Sequence, residues 1–141
     1  MSILSLPIDM MCRNPLHLWT GVKDGKFQEL PSTPNGVSTQ TSQKKKLVEP
    51  LPYIGTREAS YAKIKAVLAA LPDNIKVQKQ EDNYLYVIFI SNGMKFKDDV
   101  EFYFDDAKQQ IEFRSNSRIG YADMGVNQKR YDAIRKGYCG E

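Results

Sequence analysis

The sequence predicts an α+β fold: a single domain in which two helices pack on one face of an antiparallel β-sheet of about four or more strands, with an irregular N-terminal arm. Two observations lead to this prediction. Short runs of alternating apolar and polar residues recur between residues 75 and 114, and apolar residues at helical spacing precede and follow those runs. Strands grouped between two helices are typical of α+β domains.

The first helix is predicted from about Arg57 to Leu71. Thr56 is a residue type that caps helix N-termini, and Pro72 ends the segment because the residue before a proline avoids the helical region. The apolar residues on one face, at helical spacing, are Ile64, Val67, Leu68 and Leu71.

Two strands are predicted next, over residues 75–80 and from Tyr84 to Ile90, joined by the turn Glu81-Asp82-Asn83. The second run is apolar on both faces, so we expect it at the centre of the sheet. Asn92-Gly93 is a turn signal that ends it.

Two further antiparallel strands follow, joined by the polar loop 105–110. Their alternating apolar residues are Val100, Phe102 and Phe104 in the first and Ile111 and Phe113 in the second. Pairing Phe104 with Ile111 places Glu101 directly opposite Arg114. This register gives one apolar and one ion-paired face, so both strands are expected to be half-buried.

A C-terminal helix is predicted after Asp123, which we expect to cap it. One side of this helix carries Asn127, Tyr131, Ile134 and Tyr138, and Gly137 lies near its expected end.

Residues 1–52 are predicted to form an irregular N-terminal arm and a proline-rich connection, and residues 53–141 the α+β core, with the arm packed on it. The turn Lys23-Asp24-Gly25-Lys26 predicts a short hairpin within the arm. The prolines that favour an extended, poorly regular connection are Pro31, Pro34, Pro50 and Pro52.

Length and composition indicate one globular domain: 141 residues, of which 41% are hydrophobic and 26% charged. The net charge is +3, and basic residues are scattered among acidic ones. A nucleic-acid partner is not expected, because affinity for a phosphate backbone grows with the number of positioned cations. The basic run Lys44-Lys45-Lys46 has no neighbouring aromatic residue for base stacking and is expected to be a solvated loop.

The two cysteines, Cys12 and Cys139, lie near opposite ends of the chain, and no structural disulfide is expected between them. Neither has a neighbouring histidine or a helix N-terminus to activate its thiol. The single histidine, His17, has no carboxylate or cysteine at metal-ligand spacing and is expected to be a packing or surface residue. We therefore predict no metal and no cofactor.

The N-terminal segment has no basic residue before its apolar part, which Pro7 and Asp9 interrupt well short of a membrane span. A soluble, cytoplasmic protein without a transmembrane segment is expected. Gly120 and Gly125 have the glycine spacing of a phosphate loop, but Val126 and Asn127 stand where Lys and Ser/Thr are required, so these glycines are expected to allow turns.

What remains is a polar cluster around the last two strands and the last helix. Its ten members are Asp98, Asp99, Glu101, Arg114, Ser115, Ser117, Arg118, Asp123, Asn127 and Arg130. One interpretation is structural: Glu101 pairs with Arg114, and Asp123 caps the helix, so that the cluster fixes the loop between strand and helix. This interpretation is favoured because the carboxylates nearly balance the arginines.

Two functional interpretations stay open beside it. Arg114, Arg118 and the backbone N–H groups at the helix start are groups that bind a carboxylate or phosphate. Alternatively, Asp98 or Asp99 acts as the general base of a small enzyme, which requires a perturbed pKa in a cleft.

From about Gly21 to Arg135 the order of sequence features resembles a bacterial and plastid family, the domain of unknown function DUF1499. These features are, in order, Gly-Val-Lys-Asp-Gly-Lys, Pro-Ser-Thr-Pro-Asn-Gly-Val-Ser, Glu-Pro-Leu-Pro-Tyr, the first helix, Asp-Asp-Val-Glu-Phe and Arg-Ser-Asn-Ser-Arg-Ile-Gly-Tyr-Ala-Asp-Met-Gly-Val-Asn. The last block is the most specific. The resemblance implies a fold but no biochemical function.

Two departures from the family pattern matter. Members commonly carry one cysteine just before the Pro-Ser-Ser-Pro-Asn segment and another just after its Asn, and here Leu30 and Gly36 occupy those places. Many relatives also begin with an export or lipoprotein segment, which makes an exported or membrane-associated location the alternative to the cytoplasm.

The sequence therefore predicts a non-catalytic binding or interaction module of unknown partner, with a small anionic ligand or a protein as candidates. The alternative is a small enzyme that uses Asp98/Asp99 and Arg114/Arg118 on an anionic substrate. The two differ structurally, because an enzyme needs a concave pocket that a carboxylate and an unpaired arginine both face.

Overall fold

The computed structural model describes residues 19–120 and 122–140. Within these ranges the chain forms two α-helices, α1 (Arg57–Ala70) and α2 (Val126–Cys139), and a short 3-10 helix, Lys44–Lys46. The strands are β1 (Gly36–Ser38), β2 (Leu51–Pro52), β3 (Asn74–Glu81), β4 (Tyr84–Ile90), β5 (Lys97–Asp105) and β6 (Gln110–Ser117). The predicted α+β class is confirmed.

In this part of the chain the six strands form one antiparallel sheet with the spatial order β1-β6-β5-β4-β3. β2 also pairs with β6, farther along it: Leu51 lies opposite Ile111, whereas Val37 of β1 lies opposite Ser115. The sequence predicted β3 to β6 and an inner position for β4, which lies between β5 and the edge strand β3, while β5 occupies the centre of the sheet. It missed β1 and β2, because two or three residues among prolines are too short to show an alternating pattern.

Residues 31–52 are thus more regular than the sequence predicted, since two strands of the sheet lie among them. The prediction that the lysine run is solvated is correct for Lys44 and Lys45 and wrong for Lys46. The Lys46 ammonium group donates to the carbonyl oxygens of Pro31 and Thr33, at 2.6 Å each. A division of the chain at residue 52 stays a prediction, and the pairing of β1 and β2 with β6 joins both sides of it in one sheet.

Helix α1 begins as predicted. The Thr56 side chain accepts a hydrogen bond from the backbone N–H of Ala59 at 3.0 Å. The helix ends at Ala70, and Leu71 is extended (φ −74°, ψ 148°), as expected for a residue before proline. Its buried side chains are Ser60, Ile64, Val67 and Leu68.

Helix α2 differs from the prediction at both ends. It begins at Val126, and its N-cap residue is Gly125, in the left-handed conformation (φ 80°). Asp123 lies before the N-cap position, but its carboxylate still accepts a hydrogen bond from the Asn127 N–H in the first turn. At the other end Gly140 (φ 75°) terminates the helix, and Gly137 lies inside it. Gly137 is required by close packing: a Cβ there would lie 2.9 Å from Val67 Cγ1 of α1.

Both helices pack on one face of the sheet, which we call the helix face. The core there combines alternate residues of β4, β5 and β6 with the inner sides of α1 and α2. Phe113 packs edge-on against Phe102 and lies 5.4 Å from Tyr131 of α2, measured between ring centroids. The α1 and α2 residues in this core include Ile64, Val67, Leu68, Tyr131, Ile134 and Tyr138.

The opposite face, which we call the covered face, is buried as well. Residues 19–31 contribute Phe27, which packs with Tyr84, Tyr86 and Ile88 of β4. The Lys23–Lys26 hairpin is confirmed by two backbone hydrogen bonds between its end residues, at 2.8 and 3.0 Å. The prediction of half-buried strands is therefore wrong for β5 and β6, because the arm shields the face expected to meet water. Glu101 and Arg114 are each 1% exposed.

Several sequence predictions fall outside the described residues. Cys12 and His17 belong to this group, so the predicted absence of a Cys12–Cys139 disulfide stays a prediction. Cys139 itself is exposed, and it forms no disulfide with any other described residue. Among the described residues, no helix has the length and apolar character needed to cross a bilayer.

Candidate functional site

The polar cluster divides between the two faces of the sheet. Successive residues of a strand point to opposite faces, so Asp98 and Asp99 of β5 diverge. The members on the helix face are Asp98, Ser115, Ser117, Asp123, Asn127 and Arg130, and those on the covered face are Asp99, Glu101, Arg114 and Arg118. The sequence brought ten residues into one candidate site, whereas the structure builds two networks with the sheet between them.

Asn127 is the centre of the helix-face network, and its side chain is fully buried. Its amide nitrogen donates to Asp123 Oδ2 at 2.6 Å, to Ser117 Oγ at 2.9 Å and to the backbone oxygen of Asn35 at 3.1 Å. Its side-chain oxygen accepts from Ser115 Oγ and from Arg130. One amide thus joins β6, α2 and the segment before β1.

Arg130 is held from three sides. Its Nη2 donates to Asp98 Oδ2 at 2.8 Å, and its Nη1 donates to Asn127 Oδ1 at 2.8 Å and to Ser115 Oγ at 3.1 Å. The guanidinium carbon also lies 4.3 Å from the centre of the Phe89 ring, a cation–π contact. Its Nε is buried and has no hydrogen-bond partner among the described residues.

The start of α2, where an anion was considered, is occupied by the chain itself. Asp123 Oδ1 accepts from the Gly125 N–H at 2.8 Å, and Oδ2 accepts from the Asn127 N–H at 3.3 Å. A carboxylate at a helix N-terminus supplies the negative charge that the helix dipole favours. Asp123 therefore takes the position that a bound phosphate or carboxylate would take.

On the covered face, Glu101 and Arg114 are cross-strand neighbours, as the predicted register requires. Arg114 Nη1 lies 3.6 Å from Glu101 Oε2, and Arg114 Nε donates to the backbone oxygen of Gln28 at 2.8 Å. Glu101 Oε1 accepts from the Tyr84 hydroxyl and from the Gly21 N–H, each at 2.6 Å. The pair thereby fixes the N-terminal segment onto the sheet.

Burial dominates the electrostatics of this pair. Loss of solvation raises the pKa of Glu101, against the lowering effects of the Tyr84 hydroxyl and the Arg114 charge. Loss of solvation also lowers the pKa of Arg114. Both shifts favour the neutral forms, which is the direction expected when charges leave water. The hydrogen bonds to Tyr84, Gly21 and Gln28 are what compensate the two charges.

The second pair on this face joins Arg118 and Asp99. Arg118 Nε donates to Asp99 Oδ2 at 3.1 Å and Nη2 to Oδ1 at 2.9 Å, a two-point contact, and Tyr86 donates to the same carboxylate. The hydrogen bond to Asp99 raises the pKa of the Arg118 guanidinium. Burial, followed by the hydrogen bond to Asp99, raises the pKa of the Tyr86 hydroxyl.

Sequence reasoning missed three participants: Tyr84, Tyr86 and Asn35. Both tyrosines were interpreted only as apolar strand residues, although a buried tyrosine hydroxyl normally needs a partner. The signal was their position in β4: Tyr84 and Tyr86 point to the same face of the strand as Ile88, whereas Leu85 and Val87 point to the opposite face. Asn35 gave no such signal, because it lies 92 positions from Asn127.

Two surface depressions contain one cluster member each. A cleft of about 540 Å³ lies between the 3-10 helix and the start of α2, and its lining includes Lys44, Lys45 and Asp123. A groove of about 220 Å³ separates the end of α1 from α2, and Arg130 contributes to its wall. Within the described residues there is no group of three or more His, Cys, Asp or Glu side chains that could hold a metal ion.

Leu30 and Gly36, where the resemblance led us to expect cysteines, are adjacent in space. A Cβ on Gly36 would lie 3.0 Å from Leu30 Cδ2, 2.9 Å from the backbone oxygen of Ser115 and 2.8 Å from Asn116 Oδ1. Glycine thus lets β1 approach β6, and the Leu30 side chain, 4% exposed, fills the neighbouring space.

Comparison with known proteins gives one family. A sequence model described as "Protein of unknown function (DUF1499)" matches residues 26–137. No curated protein and no solved structure matches the chain.

Proposed function

The chain belongs to the DUF1499 family of proteins of unknown function, and from that premise we propose that it is a non-catalytic binding or interaction module. The polar cluster is, in this proposal, the internal brace of the module. It holds the N-terminal segment, the sheet and α2 in one arrangement, so that exposed surfaces elsewhere are presented to a partner.

One observation carries this proposal: each arginine of the cluster is paired with its own carboxylate. Arg114 pairs with Glu101, Arg118 with Asp99, and Arg130 with Asp98, with N–O distances of 3.6, 2.9 and 2.8 Å. An anion site would leave at least one cationic group facing open space. Here the fourth carboxylate, Asp123, also occupies the helix start.

The enzyme alternative is less well supported by the same geometry. Asp98 and Asp99 lie on opposite faces of β5, so they cannot serve one substrate together. Arg114, 1% exposed, lies beneath the N-terminal segment on the covered face. A general base and an electrophilic arginine must reach the same reacting atoms, and neither of the two clefts that contain a cluster member is lined by both a carboxylate and an arginine of the cluster.

The proposal leaves the partner to be identified among a small anionic ligand and a macromolecule, with nucleic acid not expected from the scattered charge. A cytoplasmic location, with export or membrane association as its alternative, stays a prediction. Fractionation of cells expressing the full chain would distinguish these locations.

A thermal-shift series tests the brace against an anion site. Wild type and Arg118→Ala are melted in phosphate, citrate and chloride at matched ionic strength, with Lys79→Ala as the control from an exposed ion pair. As a brace, Arg118→Ala should lose about 1 to 2 kcal/mol of unfolding free energy, because Asp99 loses its charged partner. The control should change by less than about 0.5 kcal/mol.

The anions decide between the two functions. For a brace, phosphate and citrate stabilise wild type no more than chloride does. A stabilisation of wild type that is specific to phosphate or citrate, and that Arg118→Ala abolishes, would overturn the proposal, because it would assign the arginine to ligand binding.

A further inference from the structure

One end of the molecule exposes four large apolar side chains. Met94 and Phe96, in the turn between β4 and β5, are 75% and 44% exposed, and Met124 and Val126, between β6 and the first turn of α2, are 86% and 44% exposed. We call these four residues the apolar tip. Single exposed apolar residues are ordinary, but several on adjoining loops mark an interaction surface.

The fold places these loops at the same end of the sheet. β5 begins where β6 ends, since Asp98 lies opposite Ser117 and the Arg118 N–H donates to the Lys97 oxygen at 3.1 Å. Helix α2 runs in the same direction as β5, from Arg130, which contacts Asp98, to Tyr138, whose hydroxyl donates to the Pro52 oxygen near the far end of the sheet.

Phe96 and Val126 therefore lie at one level. Arg130 of α2 contacts Asp98 of β5. Val126 lies one helical turn before Arg130, and Phe96 lies two residues before Asp98. Both steps cover roughly 6 Å in the same direction. The two loops thus project past the sheet together.

The charge around the apolar tip is basic. Lys95, Lys97 and Lys129 are exposed there, whereas the carboxylates of Asp98 and Asp99 are paired with arginines. Asp123 is bound to the start of α2, and Asp73 is an exposed carboxylate across the neighbouring groove. The surface presented is apolar at its centre, with three exposed lysines beside it.

We propose that this end of the protein docks on an anionic lipid surface, with the apolar tip entering the headgroup region and the three lysines contacting lipid phosphates. Apolar side chains flanked by lysines match the depth and charge of such an interface. This inference rests on the proposed binding function, for which it names the partner.

A second copy of the chain fits this surface less well. In a symmetric dimer the same patch faces itself, so lysine would meet lysine. A folded protein partner is also disfavoured, because three of the four side chains stand on loops and the adjoining groove holds only about 220 Å³. The flexible methionine side chains adapt readily to a fluid surface.

Vesicle co-sedimentation tests the inference. The full chain is mixed with vesicles of phosphatidylcholine alone and with vesicles of phosphatidylcholine and phosphatidylglycerol, at low and high salt. Binding is expected only to the anionic vesicles and should weaken as salt screens the lysines. Met94→Ser/Phe96→Ser should lower the partition coefficient at least about tenfold, since two apolar side chains lose their burial. Lys95→Gln/Lys97→Gln should lower it by about fivefold for each lysine.

The chain supplies matched controls elsewhere. Val77→Ser removes an apolar side chain that is 49% exposed on the edge strand β3, and Lys63→Gln/Lys65→Gln removes two exposed lysines of α1. Both should bind vesicles like wild type. All variants change exposed side chains, and unchanged melting temperatures verify that they fold.

Three results would overturn the inference: no binding to anionic vesicles, equal loss of binding in the control variants, or self-association that Met94→Ser/Phe96→Ser abolishes. Each leaves the brace proposal intact, since that proposal depends on the anion series with Arg118→Ala. Conversely, an anion-specific stabilisation lost in Arg118→Ala with normal vesicle binding would reject the brace and retain the lipid surface.

Discussion

Glu101 and Arg114 lie directly opposite one another on β5 and β6, and both are buried beneath the N-terminal segment. Their carboxylate and guanidinium groups are 3.6 Å apart, and each also bonds to backbone atoms of that segment. An ion pair on a strand face usually marks the side that meets water. Here it marks the side on which the arm is fixed.

Removing one partner of this pair should be more damaging than removing both. Glu101→Gln preserves shape but leaves the Arg114 charge buried without a counter-charge, so we expect a loss of about 3 kcal/mol of unfolding free energy. Glu101→Gln/Arg114→Met removes the buried charge and should regain much of that loss. Urea unfolding of the single and double variants measures this.

The exposed pair Lys79–Glu81, with side chains 58% and 51% exposed, is the matched control. Its removal should cost less than about 0.5 kcal/mol. If Glu101→Gln were as harmless as the control, the pair would not be the anchor of the N-terminal segment.

Asn127→Ala should destabilise the protein strongly, by about 3 kcal/mol, because several buried partners, including the Asn35 carbonyl and Arg130, lose a hydrogen bond. Gln128→Ala is the control, since the neighbouring Gln128 bonds only at the surface, to Asp132. Chemical denaturation reports both. Equal stability of the two variants would contradict a central role for Asn127.

Gly137→Ala should destabilise the protein by about 1 to 2 kcal/mol through overpacking, although in an exposed helix interior the same change would gain about 1 kcal/mol. The added Cβ would lie 2.9 Å from Val67 Cγ1, a stiff β-branched side chain. Combining it with Val67→Ala should remove the clash. A double-mutant cycle with a coupling energy near zero would argue against this contact.

Glu29 should make stability depend on pH in the acid range. Burial opposes ionisation, but hydrogen bonds from Thr41, Ser42, Gln43 and Leu30 together lower the pKa of Glu29 below its ordinary 4.5. A lowered pKa contributes stability that is present above pH 4.5 and lost as pH falls through the folded-state value. The gap between wild type and Glu29→Gln should therefore be widest near neutral pH and close on acidification.

Unfolding free energies between neutral pH and pH values below 4.5 measure that gap. Glu49→Gln, which removes a carboxylate at an exposed position, is the control variant. If the difference in unfolding free energy between wild type and Glu29→Gln instead widened on acidification, the prediction of a lowered pKa for Glu29 would be wrong.

By itself the sequence determined the elements whose signal is local. Thr56 before an apolar periodic run specified where α1 begins, and alternation in β5 and β6 specified a register with Glu101 opposite Arg114. The segment that begins at Arg114 and leads into α2 likewise indicated the DUF1499 family, and the match over residues 26–137 confirms that family.

Only the tertiary structure decided which polar residues share a site. Asp98 and Asp99 are neighbours in sequence but face opposite sides of the sheet, while Asn35 and Asn127 are distant in sequence and hydrogen-bonded. Burial of Glu101 likewise depends on the arm, a segment 80 positions away at Gly21. Side-chain periodicity is local, but the covering of a face and the pairing of buried charges depend on contacts between remote segments, which single-sequence patterns do not encode.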